Sequence, residues 1–502
     1  MVLNLQAIWI KGRAFRQNVF HNLVNNPIPT RNFAFNLPKT IPPMPLIKSI
    51  SGIRGTIGGQ PDNALTPVDA VAFAAAYGSW LKETYAATGR CKVVIGRDAR
   101  PSGPFVQGLV ENTLIALGID VVDVDLSTTP TVEMEVVAQN AQGGIILTAS
   151  HNPVEWNALK LLNHRGEFIS AADGQELLER VEQRNYSFVG VHELGSKTFV
   201  HDAMERHVEA VLALPLVDVP AIRACKFKVA VDAVNSTGGI AVPLLLDALG
   251  CEVEELYCEP NGMFPHNPEP LKEHLAAICS LVPSVGAHLG VVVDPDVDRL
   301  ALIDETGEMF GEEYTLVAVA DYVLDRTPGP AVSNLSSSRA LRDVALGHGC
   351  AYRASAVGEV NVVEAMKELG AVIGGEGNGG IIYPELHYGR DSLVGIALFL
   401  THLAYVGGTV SAMRRRYPAY FMAKKKAELD PQADVDAALA RVAKQFENER
   451  ITTIDGVKID FQESWVHLRK SNTEPIVRIY TEAPSQQEAD ALADRFIQAF
   501  AL

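Results

Sequence analysis

One plan of apolar strand, polar loop, helix ending near a glycine and second strand occurs three times in this chain of 502 residues. The first copy runs from KVVIGRDARPSG through a helical pattern to IDVVDVDL, residues 92–126. The second runs from KVAVDAVNSTGG to CEVEELYC (228–258), the third from PAVSNLSSSRALRDVALGHG to CAYRASAV (330–357). Val- and Ile-rich strands alternating with helices build βαβ units, whose sheets are mostly parallel and covered by helices. The identity among the copies is weak, so the repetition is one of architecture. It predicts three tandem α/β domains with mixed, mostly parallel sheets. After about residue 418 the style changes. Tyr417-Pro418 breaks a helix, 434–447 reads as a helix, DGVKIDF and WVHLRKS as strands, and 486–500 as a closing helix. Helices against a small sheet predict a separate C-terminal α+β domain, with the basic run Lys424 to Lys426 on a solvated face. The expected boundaries are 44–200, 201–307, 308–417 and 418–502, and clefts between such domains are where ligands preferentially bind.

Composition narrows the function. With 47% hydrophobic and 21% charged residues the chain has the balance of a soluble globular protein. A net charge of −17 argues against a nucleic-acid partner, yet a local basic cleft for an anionic substrate can sit inside an acidic molecule. Six cysteines without a CxxC pair point to neither a zinc site nor a disulfide framework, and fit a reducing cytoplasm. The longest apolar stretch, Leu393 to Val406, is too short and too polar at Thr401 and His402 to span a membrane, and reads as a buried helix. Residues 1–43 hold five basic and no acidic residues. They read as a poorly ordered arm upstream of a functional start at Met44, the alternative being an organelle transit peptide.

Chemistry concentrates in a few loops. Asp294-Pro295-Asp296-Val297-Asp298-Arg299 follows the apolar run Val291 to Val293 and precedes LALID. Three carboxylates aimed at one point repel, and a hard cation, Mg²⁺ or Ca²⁺, offsets that crowding. An EF-hand, with Glu305 at its twelfth position, is disfavoured because its sixth position requires glycine and here holds Arg299 and its flanks read as strands, and a solvated acidic turn is the plainer alternative. A second loop, Thr148-Ala149-Ser150-His151-Asn152-Pro153, offers the Ser150 hydroxyl for acylation or phosphorylation, without the glycines of a GxSxG elbow. Alone, Ser150 could equally cap its loop; with a cation site elsewhere, a phosphate on Ser150 becomes the sharper reading. Asn157 and Lys160 follow, and a lysine there can hold an anion or exchange protons. In GGEGNGG, Glu376 and Asn378 can bind neighbouring sugar hydroxyls, although a plain turn is as good a reading. Arg469-Lys470-Ser471-Asn472-Thr473-Glu474-Pro475 with Arg478 can cradle a phosphate, against the plainer alternative of an Asn-Thr turn with salt-bridged arginines. Arg54, between Gly52 and Gly55, suits close contact with a phosphoryl group.

Taken in order, SGIRGT, TASHNP, DPDVDR, GGEGNGG and RKSNTEP resemble the motifs of the α-D-phosphohexomutase family, over roughly residues 44–502. The resemblance implies four domains around a central cleft, each giving one loop. It implies that Ser150 is a phosphoserine and that Asp294, Asp296 and Asp298 hold one Mg²⁺ together with its phosphoryl oxygen. Arg54, His151, Lys160 and Arg299 then surround the transferring group, with Lys160 the first candidate for general base. Glu376 and Asn378 contact the sugar; Arg469, Ser471, Asn472, Thr473 and Arg478 form the distal phosphate site. The implied reaction converts a hexose 6-phosphate to the 1-phosphate through a bisphosphorylated sugar, with a sugar 1,6-bisphosphate as activator, in a monomer or homodimer. One departure stands out. The common sugar loop reads GExSGH, whereas Asn378 and Gly380 occupy the Ser and His positions here, and Glu359 in AVGEVN is a candidate replacement for the missing contact. The GEGNGG form resembles archaeal-type phosphoglucosamine mutases, making glucosamine phosphate the expected substrate and mannose and glucose phosphates its rivals. A non-catalytic phosphosugar- or Ca²⁺-binding protein on the same scaffold is the alternative from another class.

Overall fold

Each of the three copies extends beyond what its sequence pattern predicts, to a four-stranded unit. The computed structural model describes residues 46–49, 52–85, 89–428, 434–470 and 476–500. The expected N-terminal arm and Ser471, Asn472 and Thr473 lie outside these described residues. The first sheet holds β1 (Ile47–Ser49), β2 (Gly52–Thr56), β3 (Lys92–Arg97), β4 (Asp120–Leu126), β5 (Gly143–Leu147), β6 (Trp156–Leu162) and β7 (Lys197–Phe199), in the order β1-β2-β6-β5-β3-β4-β7. The second holds β8 (Lys228–Asp232), β9 (Glu252–Leu256), β10 (Leu289–Val293) and β11 (Leu300–Asp304), in the order β11-β10-β8-β9. The third holds β12 (Ala331–Asn334), β13 (Tyr352–Ser355), β14 (Ile373–Glu376) and β15 (Gly380–Ile382), in the order β13-β12-β14-β15.

The shared arrangement is three parallel strands and an antiparallel fourth: β4-β3-β5-β6, β9-β8-β10-β11 and β13-β12-β14-β15. Helices Gly103–Ala116, Gly238–Leu249 and Arg339–Gly347 make the first crossover of each unit. Strands β5, β10, β11 and β14 are buried at every position. This is why GGIIL, LGVVV and LALID read as continuous apolar runs rather than alternating ones. The three chemistry-bearing loops occupy equivalent places, the turn from the third strand into the fourth: 148–155, 294–299 and 377–379.

The last sheet is antiparallel throughout. It contains β16 (Phe421–Glu428), β17 (Arg450–Thr452), β18 (Val457–Asp460), β19 (Trp465–Lys470) and β20 (Ile476–Ala483), in the order β16-β20-β19-β18-β17. Helices Val435–Gln445 and Gln486–Phe500 pack on it through Leu439, Val442 and Phe496 over Ile459, Leu468 and Ile479. Lys424 and Lys426 are exposed, as expected of a solvated face, and Lys424 also lines the central cleft and pairs with Glu312 at 3.0 Å. The second and third units share one core, in which Val229, Val291, Leu316 and Leu398 are fully buried or nearly so and Phe310 meets Phe399 edge-on, ring centroids 5.3 Å apart. The apolar stretch near residue 400 forms the helix Ser392–Val406, buried from Ser392 to Leu403. Asp391 caps it, accepting from the N–H groups of Leu393 (2.7 Å) and Val394 (3.3 Å). Among the described residues no helix is long and apolar enough to cross a membrane.

Candidate active site

The turn after β5 is held by an arginine that the sequence reading passed over. Arg100 and Asp98 are both fully buried, and Arg100 Nε donates to Asp98 Oδ2 at 2.9 Å. From there the guanidinium donates to the carbonyls of Ser150 (2.6 Å), Asn152 (2.6 Å), Pro153 and Trp156 (3.0 Å). One of the five donors of the fixed fork anchors it on Asp98, and the other four hold carbonyls of the loop and of the strand that follows it. Thr148 Oγ1 donates to Asp98 and accepts from Ser150 N–H, and Ser150 is kept at φ +48°, in the left-handed region. Arg100→Met removes the cation and leaves the Asp98 carboxylate buried beside none. We expect a loss of about 3–5 kcal/mol in urea unfolding, and a change below about 1 kcal/mol contradicts this account of the loop.

The serine so placed faces the aspartate turn. Ser150 Oγ donates to Asp294 Oδ2 at 2.7 Å, and His151 Nδ1 lies 3.4 Å from the same hydroxyl. Asp294, Asp296 and Asp298 are fully buried, and one carboxylate oxygen from each lies within 4.8 Å of the others. Val297 at φ +64° turns the chain, and Asp294 Oδ1 accepts from the N–H groups of Asp298 and Arg299, both at 3.2 Å. Thr129, at the start of helix Thr129–Ala138, pins the turn from the first unit by donating to Asp296 Oδ2 (2.6 Å) and to its carbonyl (2.9 Å). Lys160 Nζ lies 2.7 Å from Asp296 Oδ2 and 3.3 Å from Asp298 Oδ2, and Arg390 Nη2 lies 2.6 Å from Asp298 Oδ2. The Oδ1 atoms of Asp296 and Asp298 are buried without a hydrogen-bond partner.

Charge around the trio is uneven. Burial and the neighbouring carboxylates of Asp298 and Asp296 push the Asp294 carboxyl well up. For Asp298, burial is outweighed by Arg390, Lys160 and Arg299, which hold it below the usual carboxylate range. Burial would lower the Lys160 amine, but Asp296 and Asp298 raise it above its ordinary value, so here it is an ammonium counter-ion. Three clustered carboxylates, two orphaned oxygens and an adjacent hydroxyl form an all-oxygen donor set that fits a hard divalent ion such as Mg²⁺.

The cleft above these turns has a volume of about 750 Å³. Arg54, His151, Lys160, Arg299, Arg469, Arg478 and Lys424 line it, so a basic pocket does sit inside this acidic chain. Gly52 faces Lys160 across β2 and β6 at φ +134°, where a Cβ would strike the Leu159 carbonyl; Arg54, two residues on, shares the Lys160 face. Burial and the nearby Arg299 and Arg478 lower the Arg54 guanidinium, a cluster of cations suited to an anion. Burial, then Arg299, Arg54 and Arg390, push His151 down to about 2, leaving a neutral imidazole. Arg469 and Arg478 are cross-strand partners on β19 and β20, and Arg469 pairs with Asp455 at 2.9 Å. Glu359, Glu376 and Asn378 also line the cleft, together with Glu313, whose carboxyl burial raises to about 8. The sequence reading missed Arg100, Asp98, Thr129, Glu313 and Arg390.

Family models for all four phosphoglucomutase/phosphomannomutase domains match in chain order: α/β/α domain I over residues 46–187, domain II over 205–307, domain III over 311–420 and the C-terminal domain over 423–499. A phosphoglucomutase/phosphomannomutase of Thermococcus kodakarensis is 35% identical, covering 87% of this chain and 95% of the relative. A phosphoglucosamine/phosphogalactosamine mutase of Sulfurisphaera tokodaii is 28% identical, covering 88% and 96%. Among solved structures, a phosphoglucomutase/phosphomannomutase family protein from Burkholderia thailandensis superposes with a TM-score of 0.78 at 28% identity, covering 89% of this chain and 95% of that one. Fold and sequence together define a phosphohexomutase. The chain belongs to the phosphoglucomutase/phosphomannomutase family.

Proposed function

We propose that the protein interconverts a hexose 6-phosphate and its 1-phosphate through a phosphoryl group carried on Ser150, with glucosamine 6-phosphate the preferred substrate. The observation that carries this reading is the 2.7 Å approach of Ser150 Oγ to Asp294 Oδ2, beside two buried carboxylate oxygens with no donor of their own. Ser150, Asp294, Asp296 and Asp298 would hold Mg²⁺, which when bound neutralises charge on a phosphoryl group. Phosphoryl transfer asks mainly for positioning and neutralisation. Arg54 and Arg299 supply positive charge at the transferring group, and His151, kept neutral, retains an imidazole nitrogen that can accept a hydrogen bond. The bond from Ser150 oxygen to phosphorus breaks as a sugar hydroxyl oxygen bonds to phosphorus, and we assign the hydroxyl proton to Lys160. Asp296 and Asp298 hold the lysine as an ammonium, so it gives one of its protons to the departing Ser150 oxygen as it takes up the proton of the sugar hydroxyl. Arg469 and Arg478, joined by Ser471, Asn472 and Thr473, grip the other phosphate. The bisphosphorylated sugar turns over in the cleft and returns that phosphate to Ser150. A sugar 1,6-bisphosphate primes the serine, and the six free thiols suit a cytoplasmic enzyme.

One support favours the amino sugar: the relative named for glucosamine and galactosamine phosphates. The relative named for glucose and mannose phosphates supports the rival substrates. Steady-state kinetics on the three sugar 6-phosphates decides between them. We expect kcat/KM for glucosamine 6-phosphate to exceed the other two by at least about tenfold, on the scale of one well-placed polar contact. A preference for mannose or glucose 6-phosphate overturns the substrate choice and leaves the phosphoserine chemistry standing.

A further inference from the structure

Arg390 enters the cleft from the connection between β15 and helix Ser392–Val406 and touches three carboxylates at once. Its Nη1 lies 2.9 Å from Glu376 Oε2, its Nε 3.0 Å from Glu359 Oε2, and its Nη2 2.6 Å from Asp298 Oδ2. Its backbone N–H also donates to Glu359 Oε1 at 3.0 Å. The residue is 8% exposed, so these are bonds of a largely desolvated cation. The backbone beneath it is fixed. Asp391 caps the following helix and accepts from His207 Nε2 (2.9 Å), a buried side chain of the second unit, and from His387 Nε2 (3.3 Å), a mostly buried one of the third. Space for the arginine stem comes from Gly380. A Cβ at that position would run into Arg390 Cδ and sit 3.1 Å from Cγ. Gly380 is absent from the residues with positive φ, so this crowding rather than backbone geometry calls for glycine.

We infer that Arg390 is a positioning residue that fixes the sugar-facing carboxylates Glu376 and Glu359 and couples them to the ion-binding turn at Asp298, with Gly380 left bare to admit it. A carboxylate offers about four acceptor sites. Glu376 spends three, on Arg390, Asn334 Nδ2 (2.9 Å) and Gly358 N–H (3.2 Å), which leaves one acceptor in a fixed direction. Glu359 spends two, both on Arg390. Only the Oδ2 atom of Asp298 is engaged by the guanidinium, so Oδ1 remains available to an ion. The sugar contacts and the ion site therefore share one cation, and a shift at either is felt at the other. This inference rests on the proposed function only in taking the ligand of the cleft to be a sugar phosphate.

The test uses Arg390→Met, Arg390→Lys, Arg390→Ala, Gly380→Ala and the double variant Gly380→Ala with Arg390→Ala. Each is measured for KM and kcat with glucosamine, glucose and mannose 6-phosphates, for Mn²⁺ affinity by electron paramagnetic resonance, and for thermal stability. For Arg390→Met we expect KM up at least tenfold for every sugar phosphate turned over, kcat down less than KM rises, and Mn²⁺ affinity down severalfold. Arg390→Lys restores Mn²⁺ affinity more than KM, because an ammonium is a point charge and cannot serve three carboxylates. Gly380→Ala alone reproduces the Arg390→Met defects, but adds little in the Arg390→Ala background, where the clashing Arg390 atoms are gone and only the Asn378 Oδ1 contact at 3.2 Å remains. A folded Arg390→Met with wild-type KM and Mn²⁺ affinity overturns the inference, as do additive Gly380 and Arg390 effects. Absence of turnover in the wild type defeats the proposed function instead, while Mn²⁺ affinity and the double-variant stabilities still test Arg390.

Discussion

Ser150→Ala is expected to lower mutase kcat/KM by at least about 10⁴-fold, the scale on which removal of a nucleophile acts. The oxygen that would carry the phosphoryl group is gone, and no hydroxyl in the cleft substitutes for it, because Arg100 fixes the position of this one residue through the carbonyls on either side of the turn. Sugar phosphate affinity should change little, since Arg54, Arg299, Arg469 and Arg478 are untouched. Isothermal titration with glucosamine 6-phosphate, set beside a coupled turnover assay, separates the two effects. Residual activity above about one part in a hundred means that phosphate does not pass through Ser150. A non-catalytic binding protein on this scaffold predicts no turnover in the wild type either, and no change beyond binding in the variant.

Asp296→Asn should be the next most damaging change, with kcat down by about 10³-fold, near the upper end of what one electrostatic contact to a transferring group supplies. The substitution keeps shape but removes one of the three charges, at a residue whose Oδ1 is buried and has no other partner. The apparent Mg²⁺ requirement should rise by at least about tenfold, so that excess Mg²⁺ recovers part of the activity, and chelator should abolish turnover in wild type and variant alike. Full activity of either protein after exhaustive chelation and dialysis contradicts the ion-site reading. The variant should fold, because Thr129, which pins the turn, also holds the Asp296 carbonyl with its backbone N–H.

Much of this arrangement is legible in the sequence, and the illegible parts share a cause. The strand–helix–strand repeats announce themselves because strands buried on both faces must be apolar throughout. The equivalence of the three functional turns does not, because TASHNP, DPDVDR and GEGNGG have no residues in common at matching positions, and only the β5–β6, β10–β11 and β14–β15 pairings reveal it. The aspartates stand out because their chemistry is local: three carboxylates at alternating positions carry their own mutual repulsion, and Ser150, which alone could equally cap its loop, gains its reading from them. Arg100 and Arg390 do not stand out, because a buried arginine is improbable on residue type alone and each earns its place through partners far along the chain. Arg390 meets Asp298, 92 residues away, and Arg100 meets Trp156, 56 residues away. For the same reason Gly380 reads in sequence as a missing contact to be filled by Glu359, while in the fold its space belongs to the Arg390 stem and Glu359 is held by that arginine.

The most direct measurement follows a labelled phosphate. Protein primed with sugar 1,6-bisphosphate labelled at both phosphates, freed of excess ligand and analysed by intact and peptide mass spectrometry, should carry one phosphoryl group, on Ser150. A chase with unlabelled glucosamine 6-phosphate should then move the label to the sugar within a single turnover. A protein that turns over sugar phosphates while Ser150 stays unmodified, or whose modified Ser150 keeps its label through the chase, contradicts the account.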